Sequence, residues 1–171
     1  MTKSVPSFSK AIRITPPLSE CLTALLMIFE RTNFKIGKFM KILVTGANGQ
    51  LGRALQKVLI NEEIELLLTD TKEMDITDAN SVKKVFNKFE PEIVINCAAF
   101  TNVDKCETEE ELAFKINAEG PRNLVKMCLE YDACLVHIST DYVFDGEKSE
   151  PYDEEDIPNP QSVYGLSLIH I

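Results

Sequence analysis

Residues 41–52, KILVTGANGQLG, join a short run of apolar residues to a loop that contains three glycines. The apolar run predicts a strand that is buried on both faces, as in a parallel sheet. The segment after it, residues 50–60, carries Leu51, Leu55 and Leu59 at helical spacing. A buried strand, a glycine turn and an amphipathic helix therefore open the fold.

The three glycines, Gly46, Gly49 and Gly52, have the spacing G-x-x-G-x-x-G. Such a tight turn requires a residue that can adopt a positive φ angle. A side chain at Gly49 would block a pyrophosphate, and Gly52 lets the helix lie close to the strand. The helix then presents its first N–H groups to phosphates. The loop predicts a dinucleotide site, with a merely structural turn as the alternative.

Asp70 ends the predicted second strand, 18 residues after Gly52. An acidic residue at this place accepts hydrogen bonds from the hydroxyls of an adenosine ribose and repels a 2′-phosphate. It favours NADH over NADPH, and the alternative is an ordinary solvated aspartate. Asp75 and Ile76 follow closely enough to approach the adenine ring.

The rest of the chain alternates buried apolar runs with helical patterns. Strands are predicted at residues 41–45, 64–69, 93–96 and 133–139, and helices at 50–60, 81–89, 108–131 and from about Ser162 onward. A T-x-x-E capping box at residues 108–111 predicts the start of the long helix, and Gly120-Pro121 predicts a bend in it. This order implies an α/β Rossmann fold, with an incomplete parallel sheet of about four strands and flanking helices.

The charge is uneven along the chain. Residues 1–39 hold six Lys/Arg and two Asp/Glu, which leaves 12 and 25 for residues 40–171 and a net charge of −9 overall. An acidic body argues against a nucleic-acid partner, which requires a basic face. We predict a disordered or loosely helical extension over residues 1–39: an appended leader, a targeting segment or a packed helix. No apolar stretch has the length of a membrane span.

Five cysteines without a C-x-x-C pair favour reduced thiols in a cytoplasmic protein. Cys97, Cys128 and Cys134 stand in apolar surroundings and are predicted to be buried. His137 lies inside an apolar run, which favours a core histidine with satisfied hydrogen bonds over a catalytic base. Neither histidine has ligand spacing to a cysteine pair, so no metal site is expected from these residues.

Further motifs follow the predicted third and fourth strands. Residues 96–104 are NCAAFTNVD, residues 137–146 are HISTDYVFDG, and residues 160–165 are PQSVYG. Together with GANGQLG at residues 46–52, they resemble the extended short-chain dehydrogenase/reductase family, and within it the dTDP-4-dehydrorhamnose reductases. The similarity covers residues 40–165, which we predict to form an NAD(P)-binding Rossmann domain.

The resemblance implies roles for residues at matching positions. Tyr164 would donate a proton to a substrate carbonyl, Thr140 would hydrogen-bond the same oxygen, and Asp141 would lie beside it in the substrate pocket. Asn117 would order a water chain or its helix. The cofactor, NADH or NADPH, would contact Gly46, Gly49, Gln50, Leu51, Gly52, Asp70, Asp75, Ile76, Ala99, Phe100, Thr101, Ile138 and Tyr164. Hydride delivery to a ketone builds negative charge on oxygen, which requires such a donor.

The resemblance also implies reduction of the 4-keto group of a dTDP-6-deoxy-sugar, with Mg²⁺ and a homodimer as further expectations. Two alternatives stay open: a non-catalytic, cofactor-binding regulatory subunit of methionine adenosyltransferase type, and another nucleotide-sugar epimerase or dehydratase. The sequence departs from the family's Tyr-x-x-x-Lys pattern at Leu168, and residues 166–171 differ from the family's continuation. We therefore expect a truncated chain without a substrate domain, weakly active or inactive.

Overall fold

The computed structural model describes residues 40–60 and 64–169. One sheet contains β1 (Met40–Thr45), β2 (Ile64–Leu68), β3 (Ile93–Asn96) and β4 (Cys134–His137). The α-helices of this part are α1 (Gln50–Val58), α2 (Ala79–Phe89), α3 (Val103–Thr108), α4 (Glu110–Phe114), α5 (Gly120–Tyr131) and α6 (Val163–Leu168). None of them is long and apolar enough to cross a membrane. The extension predicted at residues 1–39 and the last two residues of the tail lie outside the described residues.

All four strands are parallel, in the order β2-β1-β3-β4, so their carboxyl ends meet at one edge. In this register Thr45 lies opposite Asn96, and Asn96 lies opposite His137. The predicted α/β Rossmann fold with a four-stranded parallel sheet is confirmed. Ligands of such sheets bind outside the carboxyl ends, where the chain order reverses, which is between β1 and β3 here.

Apolar side chains alternate between the two faces of the sheet and build a core on each. On one face, Ile42, Val44 and Ile95 pack with Leu55 and Leu59 from α1 and the residue after it. The other face packs against α2 and α5, and its buried residues include Leu43, Val94, Phe86, Val82 and Leu124. The sheet is therefore covered by helices on both sides, which explains why its strands are almost continuously apolar.

The long helix predicted over residues 108–131 is divided into parts. Thr108 ends α3, and its hydroxyl donates to the carbonyl of Lys105 (3.1 Å) instead of capping α4, so the predicted capping box is wrong. Between α4 and α5 the backbone makes a π-helical turn, Lys115–Glu119. Pro121 has no N–H to donate to the preceding turn, which agrees with the change in hydrogen-bond pattern at this place, and the bend predicted at Gly120-Pro121 stays a prediction.

A row of polar side chains crosses the carboxyl edge of the sheet. The Thr45 hydroxyl donates to Asn96 Oδ1, and Asn96 Nδ2 bonds to Nδ1 of His137 at 2.9 Å. Nε2 of His137 is buried and has no hydrogen-bond partner within residues 40–60 and 64–169, so the prediction of a satisfied histidine is wrong. Burial lowers the pKa of His137 to about 4, and the ring is neutral at pH 7.

The four described cysteines are free thiols. Burial raises the pKa of Cys97 and of Cys128 to about 12, so both stay protonated and unreactive at neutral pH. Cys134 is exposed, contrary to its predicted burial, because it begins the edge strand β4.

Acid should destabilise this fold through His137. The unfolded ring has a pKa near 6.5, whereas the folded ring is held near 4, so the unfolded state binds the proton first as the pH falls. The stability that depends on a neutral His137 is complete above about pH 6.5 and declines towards pH 4, by about 2 kcal/mol at pH 5. Urea unfolding of the wild type and of His137→Gln at pH 7 and pH 5 measures this loss. An equal loss in both proteins would contradict it.

Candidate active site

The glycine loop forms a tight turn between β1 and α1. Gly46 has a φ angle of +59°, in the left-handed region that favours glycine. The N–H of Gly49 donates to Gly46 O (3.0 Å), and the N–H of Ala47 donates to Thr69 O (3.0 Å), directly after β2. These bonds fix the turn to the neighbouring strand end.

Two glycines of the loop occupy places where no side chain fits. A Cβ at Gly46 would lie 2.6 Å from Ala98 N, in the segment after β3, and a Cβ at Gly52 would lie 2.5 Å from Gly46 O. The turn, the start of α1 and the segment after β3 are therefore packed backbone against backbone. Gly49 differs, because it is exposed and leaves an open approach to the start of α1.

The first turn of α1 offers N–H groups that the helix itself does not use. Gly49 is the N-cap and supplies no side-chain acceptor, and the bond from Arg53 N–H to Gly49 O (3.0 Å) is the first of the helix. The N–H groups of Gln50 and Leu51 precede that bond and point out of the helix end. With the positive end of the helix dipole, this arrangement suits a diphosphate.

A cleft of about 450 Å³ opens in front of this turn. Its lining includes six of the residues predicted for the cofactor: Gly46, Gly49, Asp70, Asp75, Ile76 and Ala99. Sequence reasoning missed eight others: Thr71, Met74, Thr77, Cys97, Ala98, Leu112, Lys115 and Ile116. Leu112, Lys115 and Ile116 are three and four residues apart, so their helical spacing could have shown that they share a face.

The remaining predicted cofactor residues do not line this cleft. Gln50 and Leu51 follow Gly49 in the first turn of α1, and Gly52 is buried in the packing of the loop. The others follow β3 or β4 or belong to α6: Phe100, Thr101, Ile138 and Tyr164. They belong to a second group of residues, described below.

The carboxylate of Asp70 is held against the glycine turn. Oδ2 accepts the N–H of Asn48 (3.1 Å), and Oδ1 accepts the N–H of Thr71 (2.8 Å). The bond from Thr71, helped by Asn48, holds the pKa of Asp70 below its ordinary value against the opposing effect of burial. A negative charge is therefore fixed at the end of β2, where it can accept hydrogen bonds from a ribose and repel a phosphate.

The segment after β3, residues 97–101, is held by Asn117 in the π-helical turn. Asn117 Oδ1 accepts the N–H of Phe100 (2.7 Å), and its Nδ2 donates to Phe100 O (3.0 Å). The Cys106 thiol of α3 also donates to that carbonyl, at 3.7 Å. Asn117 is 1% exposed, so water does not compete for these bonds and the segment is firmly placed.

Thr140 and Asp141 follow β4, where a 3-10 turn, Asp141–Val143, begins. The Thr140 hydroxyl accepts the N–H of Tyr142 (3.3 Å) and donates to Asp141 Oδ1 (3.0 Å). A hydroxyl has one proton, so donation to Asp141, to the ionised Tyr164 and to a substrate oxygen are alternatives for Thr140. A hydrogen bond from Thr140 to a substrate oxygen therefore requires the bond to Asp141 to open.

Helix α6 brings Tyr164 to the same 3-10 turn. The rings of Tyr142 and Tyr164 meet edge to face, with their centroids 5.6 Å apart. Gly165 lies against the backbone of Tyr142, where a Cβ would be 2.1 Å from its carbonyl oxygen. Only a glycine permits this approach of α6, which sets Tyr164 near Thr140.

None of the main influences on the pKa of Tyr164, among the residues that the structure describes, is a cation. Burial raises this pKa most, hydrogen bonding with Thr140 lowers it, and the charge of Asp141 raises it. Leu168, one helical turn further on, is 4% exposed and packs with Val143 and other apolar residues. The phenol therefore keeps its proton at neutral pH, and its raised pKa makes it a weak acid.

A second groove, of about 540 Å³, lies beside α4. Its lining consists of Thr108, Glu109, Glu110, Glu111, Leu112 and Lys115. This groove is larger than the cleft, but its three carboxylates repel phosphate and it has no glycine turn. Over residues 40–60 and 64–169, no three His, Cys, Asp or Glu side chains are placed to hold a metal ion. The candidate site is therefore the cleft at the glycine turn.

The family model described as RmlD substrate binding domain matches residues 40–170. The chain belongs to this RmlD family. The match extends from β1 through α6, so it includes the glycine turn, Thr140 and Tyr164.

This RmlD-family chain is 44% identical over 128 residues to a dTDP-4-dehydrorhamnose reductase of Aggregatibacter actinomycetemcomitans, which covers 74% of this chain and 44% of the relative. The dTDP-4-dehydrorhamnose reductase in a crystal structure from Clostridium acetobutylicum is 54% identical, with a TM-score of 0.75. The match covers 77% of this chain and 47% of that chain. A dTDP-4-dehydrorhamnose reductase from Bacillus anthracis, solved in complex with NADP, is 44% identical, with a TM-score of 0.76. The match covers 80% of this chain and 49% of that chain. The chain thus spans about half the length of these relatives, and the resemblance inferred from its motifs is confirmed.

A lysine at position 168 should lower the pKa of Tyr164 in this RmlD-family chain. Residues four apart share a helix face, so the ammonium group of Leu168→Lys can approach the phenol and favour its anion. We expect a fall of about one pKa unit, measured by NMR titration of ¹³C-labelled tyrosine with Tyr164→Phe to identify the signal. Leu166→Lys, at an exposed position two residues from Tyr164, is the control. Equal shifts in both variants would contradict a local effect.

Proposed function

We propose that residues 40–165 form the cofactor-binding half of an NAD(P)H-dependent reductase that acts on the 4-keto group of a dTDP-6-deoxy-sugar. One observation carries this proposal: a glycine turn with uncapped helix N–H groups and a protonated Tyr164 beside Thr140 both lie beyond the carboxyl ends of the same sheet. The named activity of the relatives supports the substrate class.

A nicotinamide dinucleotide fits the cleft in front of α1. We assign its diphosphate to the N–H groups of Gln50 and Leu51, because Gly49 leaves their approach open. The adenosine ribose would bind the fixed carboxylate of Asp70. The adenine would lie at Asp75 and Ile76, and the nicotinamide end would extend along Ala99, Phe100, Thr101 and Ile138 towards Tyr164.

The cofactor can be NADH or NADPH. The negative charge of Asp70 favours NADH, whose ribose has free hydroxyls at this place. The Bacillus anthracis relative, in contrast, was solved with NADP. Lys115, the basic residue in the described lining of the cleft, can offset the charge of an additional phosphate.

Tyr164 would be the proton donor of the reaction. When bound, the dihydronicotinamide supplies the hydride for carbonyl reduction. Tyr164 keeps its proton at neutral pH and would pass it to the oxygen on which negative charge develops. Thr140 would donate a hydrogen bond to the same oxygen once its hydroxyl no longer donates to Asp141. The carboxylate of Asp141 would then be free to contact the sugar.

The relatives favour a reductase over the two alternative functions, the regulatory subunit of methionine adenosyltransferase type and another nucleotide-sugar epimerase or dehydratase. The relatives described above are all named dTDP-4-dehydrorhamnose reductase. A dTDP-sugar substrate, a homodimer, a role for Mg²⁺ and a cytoplasmic location belong to the proposal on the same ground of family resemblance.

Gly49→Val should weaken dinucleotide binding by about tenfold or more and lower the stability of the fold by less than about 1 kcal/mol. The valine side chain would stand in front of the first N–H groups of α1, at an exposed position. Its Cβ would lie 3.2 Å from Gly46 O, so the loop must shift by a few tenths of an ångström to admit it. Titration with NADPH and NADH, followed by dihydronicotinamide fluorescence, measures Kd, and Lys57→Val in the last turn of α1 is the control. If Gly49→Val binds as well as the wild type, the assigned diphosphate site is wrong.

Tyr164→Phe should slow 4-keto reduction by about a hundredfold or more, because the proton donor is lost. The rate of NADPH oxidation in the presence of a dTDP-4-keto-6-deoxyhexose measures the effect, with Tyr131→Phe on α5 as the control. An unchanged rate in Tyr164→Phe would rule out its role as donor. A wild-type chain that binds NADPH but reduces no such sugar would match the inactivity expected of a chain with Leu168, and the proposal would then be limited to cofactor binding.

A further inference from the structure

Ser167 joins α6, which carries Tyr164, to residues 97–101 through buried hydrogen bonds. Its hydroxyl donates to the carbonyl of Tyr164 (2.7 Å) and accepts Nδ2–H of Asn117 (2.9 Å). Asn117 in turn binds both backbone groups of Phe100. Ser167 is 0% exposed and Asn117 is 1% exposed. Residues 97–101, the π-helical turn and α6 therefore meet at one pair of side chains.

We propose that Ser167 is a positioning residue that couples residues 97–101 to Tyr164. A dinucleotide bound in the cleft then changes the position and surroundings of the tyrosine side chain. The identity of the ligand rests on the proposed function. The link itself is present in the free protein and can be tested without a ligand.

The link is strong because every polar atom in it is used. Asn117 accepts with Oδ1 and donates both protons of its amide, one to Phe100 O and one to Ser167 Oγ. The single proton of Ser167 goes to the carbonyl of Tyr164. Without the Ser167 hydroxyl, one N–H of Asn117 is left unpaired in the interior, and the amide can recover a partner only by moving. Such a movement also disturbs its bonds to Phe100.

The position of α6 relative to the loop matters because the reacting groups belong to different elements. At its start, Ser162 accepts the N–H of Gly165 (3.1 Å), and the N–H of Val163 donates to the exposed Glu107 (2.8 Å). These bonds hold the beginning of the helix, but they do not reach residues 97–101. The Ser167–Asn117 pair does, and an error of about 1 Å between reacting groups can cost a hundredfold in rate.

Amide hydrogen exchange of the free chain tests the link. Ser167→Ala should speed the exchange of the Phe100 N–H, which donates to Asn117, by about tenfold. Ser162→Ala removes a hydrogen bond of the same helix but keeps the Ser167–Asn117 pair, so Phe100 should exchange at the wild-type rate. Ser167→Thr, which keeps the hydroxyl, should also match the wild type.

Two results of this comparison would overturn the proposal: Phe100 exchange in Ser167→Ala that equals the wild-type rate, or the same acceleration in both alanine variants. The second result would mean that any weakening of α6 loosens the loop. If Ser167→Ala does not fold, Ser167→Cys keeps the shape of the side chain with a slightly larger atom in place of the hydroxyl oxygen, weakens both hydrogen bonds and allows the same comparison.

NADPH then tests the coupling. Binding to the wild type should shift the ¹³C signal of Tyr164, and in Ser167→Ala this shift should fall by about half or more while Kd stays within about threefold. An undiminished shift in Ser167→Ala, or no shift in a wild type that binds NADPH, would overturn the coupling. A wild type that binds no NADPH would contradict the proposed function instead, and the exchange of Phe100 would then decide on Ser167 alone.

Discussion

Backbone packing around Gly46 is the constraint on which the rest of the structure depends. The turn after β1 approaches the segment after β3 so closely that a Cβ at Gly46 would lie 2.6 Å from Ala98 N, and a Cβ at Gly52 would lie 2.5 Å from Gly46 O. These contacts join backbones, which cannot change rotamer, so the start of α1 and residues 97–101 keep a fixed relation. The open N–H groups of α1 therefore lie at a fixed place beside the segment that Asn117 holds.

The surroundings shift the pKa values of the two ionisable groups of the site in opposite directions, down for Asp70 and up for Tyr164. Asp70 stays ionised because backbone N–H groups bind its carboxylate. Tyr164 stays protonated because burial raises its pKa and Leu168 offers no charge to oppose that rise. A fixed acceptor at one end suits the binding of a ribose, whereas the raised pKa at the other end makes Tyr164 a weak proton donor, as the absence of the family's lysine at position 168 implies.

Local patterns were enough to predict the strands, the glycine turn and the start of α1 at Gln50, because these depend on apolar spacing and on residues close in sequence. The division of the long helix could not be predicted, since Thr108 bonds to the preceding turn of its own helix and the π-helical turn accompanies the bonds of Asn117 to Phe100. In the site, residues next to the glycines and Asp70 were predicted to contact the cofactor, and several do line the cleft. The contact of Ser167 with Asn117 joins residues 50 positions apart, which no single sequence reveals.

A crystal structure of this chain with bound NADPH is the most direct test of the central claim, that the glycine turn presents the start of α1 to a dinucleotide. The account predicts a diphosphate against the N–H groups of Gln50 and Leu51, a ribose at Asp70, and a nicotinamide directed towards Tyr164. A dinucleotide bound in the acidic groove at residues 108–112, or one whose diphosphate lies away from the first turn of α1, would contradict it.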